Sequence, residues 1–187
     1  MKYLTGYERD LMAYYRMDEG RGSELTDRAN GATLYCTGTS WNYRKGISVA
    51  LKANEQLKLD GNLLGRSSAY DESIMLWFKT SGQDGHIFSA GRTDDKHGTL
   101  LAMENGRLML HSDSSQWPVG DGFANGEWHH VVLTVNRTMN NAAVFVNGQL
   151  MQSFSASLLG GVSGAMYLGG GGFVGGNIKV VWICLIQ

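Results

Sequence analysis

The chain has 187 residues, a formal net charge of −1 from 16 basic and 17 acidic side chains, 26 glycines and 1 proline. A chain of this length buries roughly 70% of its unfolded surface, so it can form one domain without staples. Its balanced charge lacks the basic excess that phosphate neutralisation requires, which argues against a nucleic-acid partner.

No apolar run approaches the ~20 residues that span a bilayer. The longest, VVWICLI at 180–186, is of strand length. The opening MKYLTGYERDLMAYYRMDEG has one early lysine and no signal-length apolar stretch, so it does not read as a secretory signal.

In chain order, strands are predicted at 11–17 (LMAYYRM), 32–36 (ATLYC), 47–51 (ISVAL), 56–60 (QLKLD), 73–79 (SIMLWFK) and 86–90 (HIFSA). A hairpin follows at 99–112 around Asn105-Gly106. After a strand at 129–135 (HHVVLTV), a second hairpin is predicted at 142–154 around Asn147-Gly148. Asn and Gly accept the positive φ of tight hairpin turns, which makes both hairpins strong expectations. The last strands are 165–169 (AMYLG) and 178–186 (IKVVWICLI).

No segment keeps a 3.6-residue apolar period, so the predicted class is all-β: an antiparallel two-sheet β-sandwich of jelly-roll type, one domain over 1–187. SIMLWFK is apolar on both faces, so its second face is either covered or forms a ligand groove. The glycine-rich LGGGGFVGG at 168–176 precedes a strand rather than a helix, which argues against a phosphate loop. Cys36 and Cys184 read as two buried thiols, with a bridge between the chain ends as the alternative. Asn136-Arg137-Thr138 fits a glycosylation acceptor pattern.

The opening LMAYYRMDEGRGSELTDRANGATL resembles that of laminin-G-like jelly rolls in the concanavalin A-like lectin/glucanase superfamily. QLKLDGN, SIMLWFKT, HIFSAG, GEWHHVVLTVN, AAVFVNGQL and LGGGGFVGGNI follow in the family's order. The resemblance implies two antiparallel sheets, one of them curved. It also implies a carbohydrate-binding or adhesion module within a larger secreted or surface protein, often a bacterial one. A location outside the cell, on its surface or in the periplasm is the matching expectation. One departure is Lys179, which stands where the family's closing strand has an acid.

Four constellations bear on function. His129 and His130 are adjacent on a strand and so point to opposite faces. His129 shares the core stripe of Val131, Leu133 and Val135, whereas His130 shares a face with Trp128, Val132 and Thr134. Both are expected to be structural, with ligand contact by His130 the alternative.

A retaining glycoside hydrolase needs two carboxylates about 5–5.5 Å apart. The resembling enzymes carry a Glu-x-Asp-x-x-Glu strand that this sequence lacks. The acid pairs Asp18-Glu19, Asp71-Glu72 and Asp94-Asp95 stand in turn contexts, so no catalytic residues are assigned.

Calcium wants six to eight oxygens. Asp94 and Asp95 resemble a pentraxin-like calcium loop, but 168–176 supplies no side-chain oxygen. Asp18, Glu19 and Asp27 are the alternative set for a structural ion. No cofactor is expected, with calcium the one candidate.

Sugar contact is expected first in HSDSSQWPVGDG, a polar turn region in which an exposed Trp117 would stack while His111, Asp113 and Gln116 take hydroxyls. Trp41 and Tyr43 in TSWNYRKG form the second candidate set; Trp77, Trp128 and Trp182 lie in strands and are expected in the core. The expected partner is a polysaccharide or other glycan, or further domains of a parent protein. A glycoside hydrolase and a structural spacer or protein-interaction domain are the alternatives.

Overall fold

The computed structural model describes residues 5, 10–31, 33–35, 40–43, 48–52, 55–59, 71–90, 98–113, 115–159, 166–170 and 176–186; of Leu34, Leu59 and 176–186 it describes the backbone. Cys36, Asp94, Asp95 and most of the 168–176 glycine run lie outside the described residues, as do the side chains of Lys179, Trp182 and Cys184.

The first strands are β1 (Leu11–Tyr15), β2 (Glu24–Thr26), β3 (Thr33–Tyr35), β4 (Ser40–Asn42), β5 (Ser48–Leu51) and β6 (Gln56–Leu59). Next come β7 (Asp71–Thr80), β8 (Gly85–Ala90), β9 (Thr99–Glu104), β10 (Arg107–Ser112) and β11 (Ser115–Asp121). The last are β12 (Trp128–Asn136), β13 (Asn141–Val146), β14 (Gln149–Phe154), β15 (Met166–Gly169) and β16 (Gly176–Ile186). A single 3-10 turn, Ala156–Leu158, is the helical content among the described residues.

An eight-stranded sheet runs β14-β13-β12-β7-β16-β5-β4, with β1 beside β16; a six-stranded sheet runs β11-β10-β9-β8-β15-β6; and β2-β3 form a small ribbon. Every strand pair is antiparallel. This is the two-sheet antiparallel sandwich expected from the sequence.

Strand parity builds the core. On β7, Ile74, Leu76 and Phe78 are buried, and on β12 so are His129, Val131, Leu133 and Val135. They meet Leu101 and Met103 of β9 and Leu108 and Leu110 of β10 from the other sheet. Each such aliphatic or aromatic side chain contributes about 1.5–3 kcal/mol by leaving water.

Both predicted hairpins form: Glu104 pairs with Arg107, and Val146 with Gln149. Asn105 and Asn147 hold φ of 50° and 53°, as these tight turns require. Gly169 ends β15 at φ +78°, and a Cβ there would lie 2.7 Å from the Glu55 backbone carbonyl oxygen. Backbone passes close to backbone at this point, which leaves no room for a side chain.

Three strands, the short β2 and β4 and the seven-residue β11, were not anticipated. β11 corrects the predicted turn region around Trp117. Its Pro118 donates no ladder hydrogen bond, but β11 is an edge strand and the register shifts opposite Leu108 and Met109.

Candidate functional site

The alternation that buries one side of β7 and β12 turns Met75, Trp77 and Lys79, and Trp128, His130 and Val132, to the outer face of the eight-stranded sheet. The register sets Lys79 opposite Trp128, Trp77 opposite His130 and Met75 opposite Val132. Val132 stands next to Phe145 of β13, which stands next to Leu150 of β14. Every one of these side chains is at least partly exposed, and Leu150 is 54% exposed.

The rings of Trp77 and His130 stack with centroids 4.7 Å apart and planes 29° apart. Burial lowers the His130 pKa from its ordinary value. The imidazole is therefore neutral at pH 7, and the stack presents an aromatic rather than a charged platform. A contiguous apolar and aromatic face of this kind marks a binding surface more often than a bare exterior.

The expectation that Trp77 and Trp128 lie in the core is corrected. Both belong to the outward parity of their strands and stand outside the buried cluster. The signal was present in SIMLWFK, whose two apolar faces cannot both line one core.

Carboxylates are scarce on this sheet. Its eight strands contain two acids, Asp71 and Glu72, both at the start of β7. Asp71 accepts the Arg137 backbone N–H at 2.5 Å, and Glu72 lies 3.7 Å from the Arg137 guanidinium. That guanidinium also donates to the carbonyls of Ala156 and Leu159. Glu72 is thereby linked through Arg137 to the 3-10 turn, while Asp71 holds the backbone that follows β12.

The residues expected to contact sugar do not converge on one surface. Trp117, opposite Leu110, is turned inward and partly buried against the core. Its ring stacks on Phe154 of β14, with centroids 4.2 Å apart, where the edge strands of the two sheets meet. The exposed ring expected there is therefore corrected.

His111 and Gln116 pair on the opposite, outer face of the six-stranded sheet. His111 Nε2 lies 2.7 Å from Glu104 Oε1. The same face carries His86, whose pKa is lowered chiefly by burial, with Glu104 opposing. Asp113 sits in the turn after β10 at φ 48°, where its carboxylate accepts the Gly98 N–H.

Trp41 and Tyr43 are brought together elsewhere. The Trp41 indole donates to the Gly22 carbonyl at 3.1 Å, and the Tyr43 hydroxyl donates to the Gly20 carbonyl. Both clip the same turn to the β4 edge.

The alternative ion set, Asp18, Glu19 and Asp27, is engaged within the protein. Asp27 is fully buried, and its Oδ1 accepts the N–H groups of Tyr14 and Ala29, each at 2.9 Å. Asp18 pairs with Arg16 and Arg28, and Glu19 accepts the Thr26 N–H. Among the described residues, no group of three or more His, Cys, Asp or Glu has the spacing to hold a metal ion, and no helix is long and apolar enough to cross a membrane.

The model for concanavalin A-like lectin/glucanases of laminin-G type matches residues 51–183, more than half of the chain. The chain belongs to this superfamily. The concanavalin A-like fold also accounts for its likeness to solved structures. The binding domain of Paraclostridial Mosquitocidal Protein 1 superposes with a TM-score of 0.72 at 16% identity, covering 94% of this chain and 48% of that one. The binding domain of botulinum neurotoxin DC in complex with SialylT gives 0.70 at 14% identity, with the same coverage. That domain in complex with rat synaptotagmin II gives 0.69 at 14%, again covering 94% of this chain and 48% of that one. The chain thus spans about half the length of these structures, and the likeness is one of fold. A comparison with curated proteins finds no match.

Proposed function

We propose that the chain is a non-catalytic binding module, part of a longer secreted or surface protein, that takes a glycan on the outer face of the eight-stranded sheet. The observation that carries this reading is the outward stack of Trp77 on His130 in the middle of that face. A flat aromatic surface covers the apolar face of a pyranose, while the Lys79 ammonium beside Trp128 can donate to a sugar hydroxyl oxygen. The scarcity of carboxylates on the same sheet argues against glycoside hydrolysis, which needs a facing pair. Structures of like fold that hold SialylT or synaptotagmin II support a binding role in general terms.

A second reading, a protein partner, is favoured by the apolar row Val132, Phe145 and Leu150, which offers a sugar no hydrogen bond. The test is titration of glycans against wild type, Trp77→Ala and Phe145→Ala. Stacking contributes on the order of 1 kcal/mol, so Trp77→Ala should weaken a glycan roughly fivefold. Phe145→Ala should leave it unchanged. Glycan affinity that is indifferent to Trp77→Ala would overturn the proposal.

A further inference from the structure

His129 sits at the buried start of β12 between two turns. Its Nε2 lies 2.9 Å from Asn125 Oδ1, and its Nδ1 lies 3.1 Å from Asn147 Nδ2. Backbone groups fix which amide atom faces which way. The Glu127 N–H donates to Asn125 Oδ1 at 2.8 Å, and the His130 N–H donates to Asn147 Oδ1 at 2.9 Å. A backbone N–H can only donate, so both positions must be oxygens. The Asn147 amide nitrogen therefore faces Nδ1, which must accept, while Nε2 must carry the proton toward Asn125. Two independent anchors thus select the same neutral tautomer.

A second proton on Nδ1 would meet the N–H bonds of Asn147. Turning that amide over relieves the ring but sets its nitrogen against the His130 N–H. One hydrogen bond is lost either way.

We propose that His129 is a proton-operated latch: neutral, it completes the set of hydrogen bonds that hold the Asn147-Gly148 turn to the start of β12, and protonated, it removes one Asn147 side-chain bond from that set and so loosens the turn, while keeping its own bond to Asn125. The elements packed against the ring bring Phe78 from β7, Phe123, Asn125 and Glu127 from the segment before β12, and Asn147 from the β13–β14 turn. Glu127 is the charged group among them. Burial lowers the His129 pKa and outweighs Glu127, which raises it. Asn147 also donates its own N–H to the His130 carbonyl at 2.8 Å. The loosening therefore reaches the residue whose ring stacks on Trp77, and the latch itself needs no ligand.

The test is NMR of the full 15N-labelled chain from about pH 7.5 to about pH 5, the range in which histidine titrates. At neutral pH, His129 should show a protonated Nε2 and a bare Nδ1. As the ring takes its second proton, the His130 amide should lose protection beyond the intrinsic pH effect by roughly fivefold, the usual worth of one hydrogen bond. The Asn147 side-chain amide should shift with the same midpoint, while Glu127 keeps its protection. In His129→Gln, whose amide can accept from Asn147 and donate to Asn125, the His130 amide should hold across the range. A protonated Nδ1 at neutral pH, a His130 amide that ignores the His129 midpoint, or equal loss in His129→Gln would each overturn the latch. If that variant does not fold, the wild-type tautomer and the shared midpoint decide alone.

Discussion

Trp77 and Trp117 both stand in strands, and each stacks on a neighbouring ring, yet they face opposite ways. Trp77 lies on β7 inside the eight-stranded sheet and turns outward onto His130. Trp117 lies on β11 at the edge of the six-stranded sheet and turns inward onto Phe154. Their surroundings in sequence suggest the reverse, since apolar residues flank Trp77 on both sides, whereas the polar run 111–116 leads into Trp117. A tryptophan's side of a sheet is set by strand parity and by which neighbour covers it, not by the polarity of the next residues along the chain.

The strongest way to break this contrast is to compare adjacent positions on β7. Phe78 is 1% exposed, and Phe78→Ala should cost about 3–5 kcal/mol, as deletion of a core ring does. Trp77→Ala, one residue away and facing out, should cost about 1 kcal/mol, the worth of the lost stack. Denaturant unfolding of the two variants checks both. Equal costs would mean that the outer face is packed like a core.

Trp117→Ala sharpens the contrast from the other side. A half-buried ring at the sandwich edge should cost roughly 2 kcal/mol, below the full core penalty, and any bound glycan should be unaffected. A Trp117→Ala variant that keeps its stability but loses glycan would restore the first candidate set.

A smaller effect is expected with acid. His86, His129 and His130 all have pKa values lowered from 6.5, in each case chiefly by burial. The unfolded chain then binds more protons than the folded one below about pH 6.5. Their contribution is fully present above that pH and is lost as pH falls toward the folded values. Glu72 acts in the opposite sense: burial raises its pKa from 4.5 despite Arg137, so it favours the fold at low pH and that contribution fades as pH rises. Thermal unfolding followed from about pH 7.5 to about pH 5.5, the histidine range, should show stability decreasing. A flat profile would mean that the imidazoles are more open to water than their packing indicates.

Much of the architecture was legible from the chain alone. Asn-Gly pairs marked both hairpins, and the alternation in WHHVVLTVN placed His129 inward and His130 outward, as found. The short strands β2 and β4 were not legible, because each sets one apolar residue between polar ones (Glu24 and Thr26, Ser40 and Asn42), whereas the equally short β3 lies within the strand-like run ATLYC. β11 was missed because Pro118 and Gly120 read as turn residues, while an edge strand with a register shift tolerates both. The candidate face was legible only in part. SIMLWFK announced a strand with two apolar faces, but the partner rings from β12 and β13 come together through pairing between distant segments. A motif search along the chain does not reach such pairs.

The most direct test of the outer-face account follows the indole N–H signals of the five tryptophans by NMR while glycans are added. The account predicts that the Trp77 signal shifts on saturation, together with the His130 ring, while the Trp117 and Trp41 signals stay in place. A glycan that binds and moves Trp117 or Trp41 while leaving Trp77 unmoved would contradict it.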